Sequence, residues 1–276
     1  MKKYLYFCVV NLIVLTLAAQ EFQLGFEPAY TSYVSGEPVV VKMDLLNTGR
    51  ELVQVAPGVG SDVLMVEVSL NDRYSNLPLL TTAPFCKSFK LKPGRKFSTK
   101  IELDKWFSLL KNGKYFAKLI FVHGGNRYES VKKSFDVVSG MPVKEGVQMF
   151  VSDDKLKRIF KLVHWPRSRS ERLFLRIEDE PTGSVWDTID LGQFLKTSDP
   201  KLDIASNGEV TVVHRATQDA FFWTVLWSLP RTVEIAERNR LLDPEVSASQ
   251  RVRTLYGDQV EDGPVDPEEK PWWKFW

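Results

Sequence analysis

The chain has 276 residues, of which 43% are hydrophobic and 26% charged, and its formal net charge is +2. This composition is typical of folded globular proteins, so it excludes a wholly disordered chain, a collagen and a multispanning membrane protein. The length leaves room for two domains of ordinary size. The net charge is supplied by Lys2 and Lys3, and the balanced remainder predicts no field that would attract nucleic acid or a membrane surface.

The first twenty residues have the layout of a secretory signal peptide. Two lysines precede an apolar stretch that ends at Ala18 and Ala19, and polar residues begin at Gln20. We expect cleavage between Ala18 and Gln20, because the stretch is short for a membrane anchor; retention as an anchor is the alternative. Cys8 lies too early for a lipoprotein cleavage site. The sequence therefore predicts an exported, unlipidated chain, periplasmic or extracellular, with no transmembrane helix after cleavage.

Removal of the signal leaves Cys86 as the remaining cysteine, so no internal disulfide is expected. Its neighbours Pro84 and Phe85 favour a small buried hydrophobic residue. A redox thiol or an intermolecular bridge is the alternative, and it would require an exposed thiolate of low pKa.

Residues 21–139 contain short runs in which apolar and other residues alternate, separated by turn-forming sequences. A period of two predicts β-strands with one apolar face, and this spacing of strands and turns predicts a β-sandwich. The clearest predicted strands are Val39–Leu46, Leu64–Leu70, Phe97–Leu103, Tyr115–Val122 and Val131–Val138.

Two motifs in this region carry a family resemblance. The first is Gly36-Glu37-Pro38 opening a strand that leads to Asn47-Thr48-Gly49, and the second is Leu103-Asp104-Lys105-Trp106-Phe107 followed by Gly113 and Tyr115. Over residues 25 to 138 the chain resembles bacterial Ig-like domains and, more narrowly, BsuPI-type exported modules. The resemblance implies a β-sandwich in which a short helical turn precedes the Gly-x-Tyr strand, and it implies no activity.

Residues 140–257 predict a second β-rich domain. Asn207-Gly208 between two apolar runs predicts a hairpin with a type I′ turn. A weak repeat of about 50 residues is within the range of propeller blades, but two blades cannot close a propeller. The sequence leaves open a second sandwich or two propeller-like sheets that require an oligomer. The predicted strands are Val147–Val151, Ile159–His164, Leu173–Ile177, Val185–Leu191, Val210–His214, Phe221–Leu226 and Thr232–Ala236.

The sequence of the C-terminal end predicts a helix followed by an acidic tail. Asp243 as N-cap, Pro244 in the first turn and Gly257 as the stop predict one helix. Residues 258–276 are rich in acids and prolines and predict disorder. The tail ends in a cluster of aromatic residues, which predicts a contact site for a partner if the cluster is exposed, or alternatively a segment that folds back onto its own domains. The cluster is Trp272, Trp273, Phe275 and Trp276.

The sequence contains no metalloprotease, hydrolase, nucleotide or dinucleotide motif, and it predicts no catalytic residue, metal or cofactor. His123, His164 and His214 each lie at or near a strand end, where a structural role is expected. Carboxylates cluster at Glu178-Asp179-Glu180 and at Asp187 to Asp190, and such pairs could serve a glycosidase or bind calcium. We expect solvated turns there instead.

A dense basic run covers residues 155 to 176. If these side chains share one hairpin, they form a cationic surface that attracts anionic glycan, lipopolysaccharide or phosphate groups. The alternatives are an ordinary solvated strand face, or a face that the acidic tail covers. The predicted basic face comprises Lys157, Arg158, Lys161, Arg167, Arg169 and Arg172.

Together these features predict an exported, non-catalytic binding or assembly protein of the bacterial cell envelope. Its partner would be an envelope protein or an anionic glycan, and nucleic acid is excluded by export. A secreted proteinase inhibitor is the alternative, suggested only by the similarity to BsuPI-type modules, and it would present an exposed loop at Ala56 to Gly60 or Pro78 to Pro84 to a protease. A carbohydrate-active enzyme comes third, and it requires His214 and Asp187 to converge in one cleft.

Overall fold

The computed structural model describes residues 21–57, 62–71, 75–150, 153–167, 170–180 and 182–242. The regular elements among these residues are strands, apart from one short 3-10 turn, so the predicted all-β fold class is confirmed. The predicted signal peptide, the helix from Asp243 to Gly257, the aromatic tail and Arg169 lie outside the described residues. Within the described part of the chain, no helix has the length and apolar character needed to cross a membrane.

Two sheets form the first part of the chain. One has three strands in the order β1-β3-β7, and the other has the order β2-β10-β8-β5-β4-β6, with β9 also paired to β8. The strands are β1 (Phe22–Pro28), β2 (Ser32–Val34), β3 (Val40–Asn47), β4 (Val53–Pro57), β5 (Val63–Leu70), β6 (Phe89–Leu91), β7 (Lys96–Glu102), β8 (Gly113–His123), β9 (Asn126–Glu129) and β10 (Lys133–Val138), and the 3-10 turn is Leu103–Lys105.

Side-chain alternation explains why these sheets pack face to face. In β3, Val41, Met43 and Leu45 are buried while the residues between them are less so. Phe22 of one sheet meets Phe121 of the other, with ring centroids 4.9 Å apart. The apolar faces of both sheets form one core, so the sandwich-like arrangement predicted for this region is confirmed.

The rest of the chain forms two four-stranded antiparallel sheets in sequential strand order, β11-β12-β13-β14 and β15-β16-β17-β18. The chain divides into two compact units, Met1–Asp190 and Leu191–Trp276, and the domain boundary expected after residue 139 stays a prediction. The strands are β11 (Met141–Phe150), β12 (Asp153–Arg167), β13 (Ser170–Glu180), β14 (Ser184–Gln193), β15 (Lys201–Ile204), β16 (Glu209–Arg215), β17 (Ala220–Leu229) and β18 (Thr232–Leu242).

The hairpin predicted at Asn207-Gly208 joins β15 to β16, but its turn is not type I′. The Gly208 N–H donates to the Ala205 carbonyl at 3.1 Å, and Gly208 has a φ of 93°. Asn207 has no positive φ, whereas type I′ requires positive values at both central residues. The loop is therefore a longer turn in which the glycine alone takes the left-handed conformation.

Within the first unit, Gly36 lies where the turn before β3 touches β14. Its φ is 86°, and an added Cβ would lie 2.6 Å from Thr188 Oγ1 and 2.7 Å from Val185 Cγ1. The Thr188 hydroxyl donates to the Ser35 carbonyl at 2.8 Å, so the neighbouring strand is held close. A side chain at position 36 would meet both a backbone penalty and two fixed neighbours.

We expect Gly36→Ala to lower the free energy of unfolding by about 2–4 kcal/mol, because the backbone and steric penalties add. Gly94→Ala is the matched control: its φ is 68°, but an added Cβ would meet no atom within 4 Å. That control should cost only the backbone penalty of about 1–2 kcal/mol. Urea denaturation followed by circular dichroism measures both, and equal losses would contradict the close approach at Gly36.

Candidate functional site

The predicted basic face lies on β12 and β13, which pair antiparallel from Lys157 opposite Glu180 to Arg167 opposite Ser170. Because successive side chains of a strand point to opposite faces, Arg158 lies on the other face from Lys157 and Lys161. The basic run is therefore split between two surfaces of the sheet.

On the face that carries the two lysines, each cation has a carboxylate partner. Lys157 Nζ lies 2.7 Å from Glu180, and Lys161 Nζ lies 2.7 Å from Glu178. On the same face, Arg172 Nε lies 2.8 Å from Asp190 of β14. Basic and acidic residues that the sequence presents as separate candidates thus pair with each other across strands, and the side chains of these three pairs are half-buried or exposed.

Arg158 is completely buried and is held by three groups. Its guanidinium donates to both carboxylate oxygens of Asp179, at 2.7 and 3.2 Å. The guanidinium carbon lies 4.4 Å from the ring centroid of Trp186 and 5.1 Å from that of Phe150. The Trp186 indole N–H also donates to Asp179. A bidentate, stacked arginine with this geometry stabilises the sheet.

Arg167 is also buried, and it joins β12 to the turn that precedes β3. Its guanidinium donates to Glu37 at 2.5 and 2.7 Å and to the Ser32 carbonyl at 3.2 Å. It also stacks 4.0 Å from the ring of Tyr30. Burial alone lowers the pKa of Arg167, but the Glu37 carboxylate outweighs burial and the net pKa lies above the ordinary value.

The residues of the predicted basic face thus differ in whether solvent, and so a ligand, can reach them. Arg158 and Arg167 are buried and paired within the fold, and Arg169 lies outside the described residues. Lys157, Lys161 and Arg172 keep part of their surface in solvent. A ligand-binding role for this face stays a prediction, as does that of the four terminal aromatic residues.

The histidines take partners that the sequence did not reveal. His123 Nδ1 lies 2.7 Å from Asp62, His164 Nδ1 lies 3.0 Å from Glu171, and His214 Nε2 lies 3.1 Å from the Gln193 carbonyl. Asp62 is 61 residues away from His123 in the chain, so no local motif signals that pair.

The two residues required by the carbohydrate-enzyme hypothesis belong to different units, Asp187 to the first and His214 to the second. Desolvation raises the pKa of Asp187, and the Asp104 carboxylate contributes in the same direction. Among the described residues, no group of three or more His, Cys, Asp or Glu side chains is placed to hold a metal ion.

The loop from Pro78 to Pro84 is exposed and is held by two hydrogen bonds to Trp106. Leu79 and Leu80 are 54% and 61% exposed. The Leu80 N–H donates to the Trp106 carbonyl at 2.8 Å, and the Trp106 indole N–H donates to the Ala83 carbonyl at 2.8 Å. The second candidate loop, residues 56–60, is described only up to residue 57, where it belongs to β4.

Cys86 is a half-buried free thiol, and burial raises its pKa above the ordinary value. A raised pKa leaves less thiolate, the reactive form. In a variant that starts at residue 21, we expect Cys86 to react with Ellman's reagent severalfold more slowly at mildly alkaline pH than it does after addition of denaturant. Equal rates in the two conditions would contradict the burial.

No protein-family model matches the chain, and no curated protein matches it. Among solved structures, it is similar to Spo0M, the sporulation control protein of Bacillus subtilis, with 10% identity and a TM-score of 0.28. The match covers 84% of this chain and 94% of that one. A TM-score this low does not indicate a shared fold or a shared function.

Proposed function

We propose that the chain is an exported, non-catalytic binding or assembly protein of the bacterial cell envelope. The main supporting observation is that four of the five carboxylates in the two acidic clusters are held in ion pairs with cations of neighbouring strands, the exception being Asp187. Glu178, Asp179 and Glu180 each hold a cation of β12, and Asp190 holds Arg172. Groups with their charges neutralised in this way build a scaffold rather than an acid–base centre.

An Ig-like assignment of the first sandwich belongs to this proposal. Tyr115 lies near the start of β8, and its hydroxyl donates to the carbonyl of Lys111, four residues upstream, at 2.8 Å. This is the arrangement of the tyrosine corner of Ig-like sandwiches. The Asp104 carboxylate accepts the Val39 N–H at 2.9 Å, which ties the 3-10 turn to the Gly-Glu-Pro strand. Both motifs of the resemblance thus support the same sandwich type.

The partner contact is assigned to Trp272, Trp273, Phe275 and Trp276, with the solvent-facing parts of Lys157, Lys161 and Arg172 as the second surface. Exposed aromatic side chains carry the large apolar area typical of interface anchors. The signal-like sequence of the first twenty residues supports a location of this contact in the periplasm or outside the cell.

Retention on isolated cell envelopes at moderate salt tests the proposal. We expect residues 21–276 to be retained and a variant ending at Gly257 to be lost. A second variant with all four aromatic residues changed to serine separates the apolar cluster from its acidic stem. Leu79→Ala with Leu80→Ala is the control for exposed apolar surface, and it should be retained.

If both tail variants are retained as well as residues 21–276, the aromatic contact is overturned and binding is assigned to the basic face. Changing Lys157 and Lys161 to glutamine would then test that face. If neither residues 21–276 nor any variant binds envelopes, the envelope-binding function itself is contradicted.

The exposed, braced loop from Pro78 to Pro84 favours one alternative, a secreted proteinase inhibitor. A loop held on both sides presents Leu79 and Leu80 at low entropic cost to a protease cleft. Nanomolar inhibition of an envelope protease, lost in Leu80→Ala and kept in the exposed control Leu110→Ala, would support this function. The absence of inhibition across a broad protease panel would contradict it.

A further inference from the structure

A shallow cleft of about 380 Å³, open to solvent, lies within the first unit, where Trp165 of β12 stands beside the strands β2, β10 and β8. Its polar lining comes from Ser32, Asn112, Lys114, Asp136 and Ser139. Small-molecule sites in proteins begin at about 300 Å³, so the cleft has room for one small ring. None of these residues belongs to the aromatic terminus or to the basic face.

Strand register places three of the polar side chains side by side. Asp136 of β10 is directly opposite Ser32 of β2 on one side and Lys114 of β8 on the other. Directly opposite residues project from the same face of a sheet with their Cβ atoms about 5 Å apart. A hydroxyl, a carboxylate and an ammonium group therefore form one continuous row along the cleft.

The wall beside this row is fixed in place. The Trp165 indole N–H donates to the Ser32 hydroxyl at 3.0 Å, and Trp165 packs against the buried residues Val34, Val163 and Phe174. At the other side, the Asn112 amide donates to the Ser139 hydroxyl at 2.6 Å. The aromatic ring and the Ser32 hydroxyl on one side, and Asn112 with Ser139 on the other, are thus held in place without a ligand.

The charges in the cleft differ from those on β12 and β13. There, the lysines have carboxylate partners at 2.7 Å. Asp136 and Lys114 are direct cross-strand neighbours. Among the ion pairs of the described residues, none joins these two side chains. Both are exposed, so the carboxylate and the ammonium retain hydrogen-bonding capacity for a ligand.

We propose that this cleft binds one pyranose ring, the terminal hexose unit of a carbohydrate. A planar indole packs well against the apolar C–H face of a sugar ring, and the row of hydroxyl, carboxylate and ammonium matches the hydroxyl groups at the edge of that ring. One acid and one base cancel in charge, which favours a neutral ring over an anionic one. This site goes beyond the proposed envelope function and does not depend on the aromatic terminus.

Saturation-transfer NMR on residues 21–276 with glucose, galactose, mannose and N-acetylglucosamine tests the site. We expect transfer to at least one hexose, with millimolar affinity because the ligand is small. Asp136→Ala and Lys114→Ala should each weaken that affinity about tenfold, the effect of losing one charged hydrogen bond. Both residues are exposed, and an unchanged melting temperature would show that the variants are folded.

Two further variants keep the test specific. Trp227→Ala removes a 40% exposed tryptophan from β17 in the other unit and should leave hexose affinity unchanged. Trp165→Phe retains a ring face but loses the bond to Ser32, and it should weaken binding. The proposal is overturned by absence of transfer to all four hexoses, by loss of binding in Trp227→Ala, or by stronger transfer to free leucine than to any hexose.

Discussion

Arg167→Ala is expected to lower the free energy of unfolding by about 3–5 kcal/mol, because it leaves the Glu37 carboxylate buried without its cation. The arginine and glutamate side chains are 5% and 7% exposed, so water cannot replace the lost partner. Glu37 would keep its bond from the Val34 N–H at 3.0 Å, which cannot neutralise the charge. Urea denaturation at neutral pH measures the loss.

Two controls separate the buried pair from ordinary surface ion pairs. Lys133→Ala removes the cation from an exposed pair with Glu27, and it should cost less than about 1 kcal/mol. A double variant with Arg167→Met and Glu37→Leu removes both charges, and it should be more stable than Arg167→Ala. A loss below about 1 kcal/mol in Arg167→Ala would contradict the burial and pairing described for this residue.

Asp179→Ala is expected to cost a similar amount, about 3–5 kcal/mol, because it strands the fully buried Arg158 guanidinium. The change also removes the acceptor of the Trp186 indole N–H. Fluorescence of Trp186 adds a second readout, since its ring stacks 4.4 Å from Arg158 and should move to a different environment. The chain contains eight tryptophans, so the comparison uses difference spectra against Trp186→Phe.

The neighbouring exposed pair supplies the matched control. Glu180→Ala breaks a pair with Lys157 whose side chains are 47% and 36% exposed, and its effect should stay below about 1 kcal/mol. Equal effects of Asp179→Ala and Glu180→Ala would show that Arg158 reaches solvent in the folded protein.

The strands of the fold could be predicted because alternation is a local property of the sequence. The run Val39–Leu46 corresponds to β3 at Val40–Asn47, and Tyr115–Val122 lies inside β8 at Gly113–His123. Ends were less accurate: Ile159–His164 is the centre of a strand that extends from Asp153 to Arg167. Charged residues occupy much of that extension, and their burial through ion pairs is not visible in an apolar pattern.

The sequence by itself determined the all-β class and the turn glycines, because the alternation of side chains and the positive φ values open to glycine depend on only a few neighbouring residues. Only the tertiary structure decided that Glu178, Asp179, Glu180 and Asp190 pair with cations of the basic run, and that Glu37 of the Gly-Glu-Pro turn pairs with Arg167. Glu37 and Arg167 are 130 residues apart, and their pairing depends on strand register and sheet packing. Composition counts such charges, but only the fold determines which of them meet.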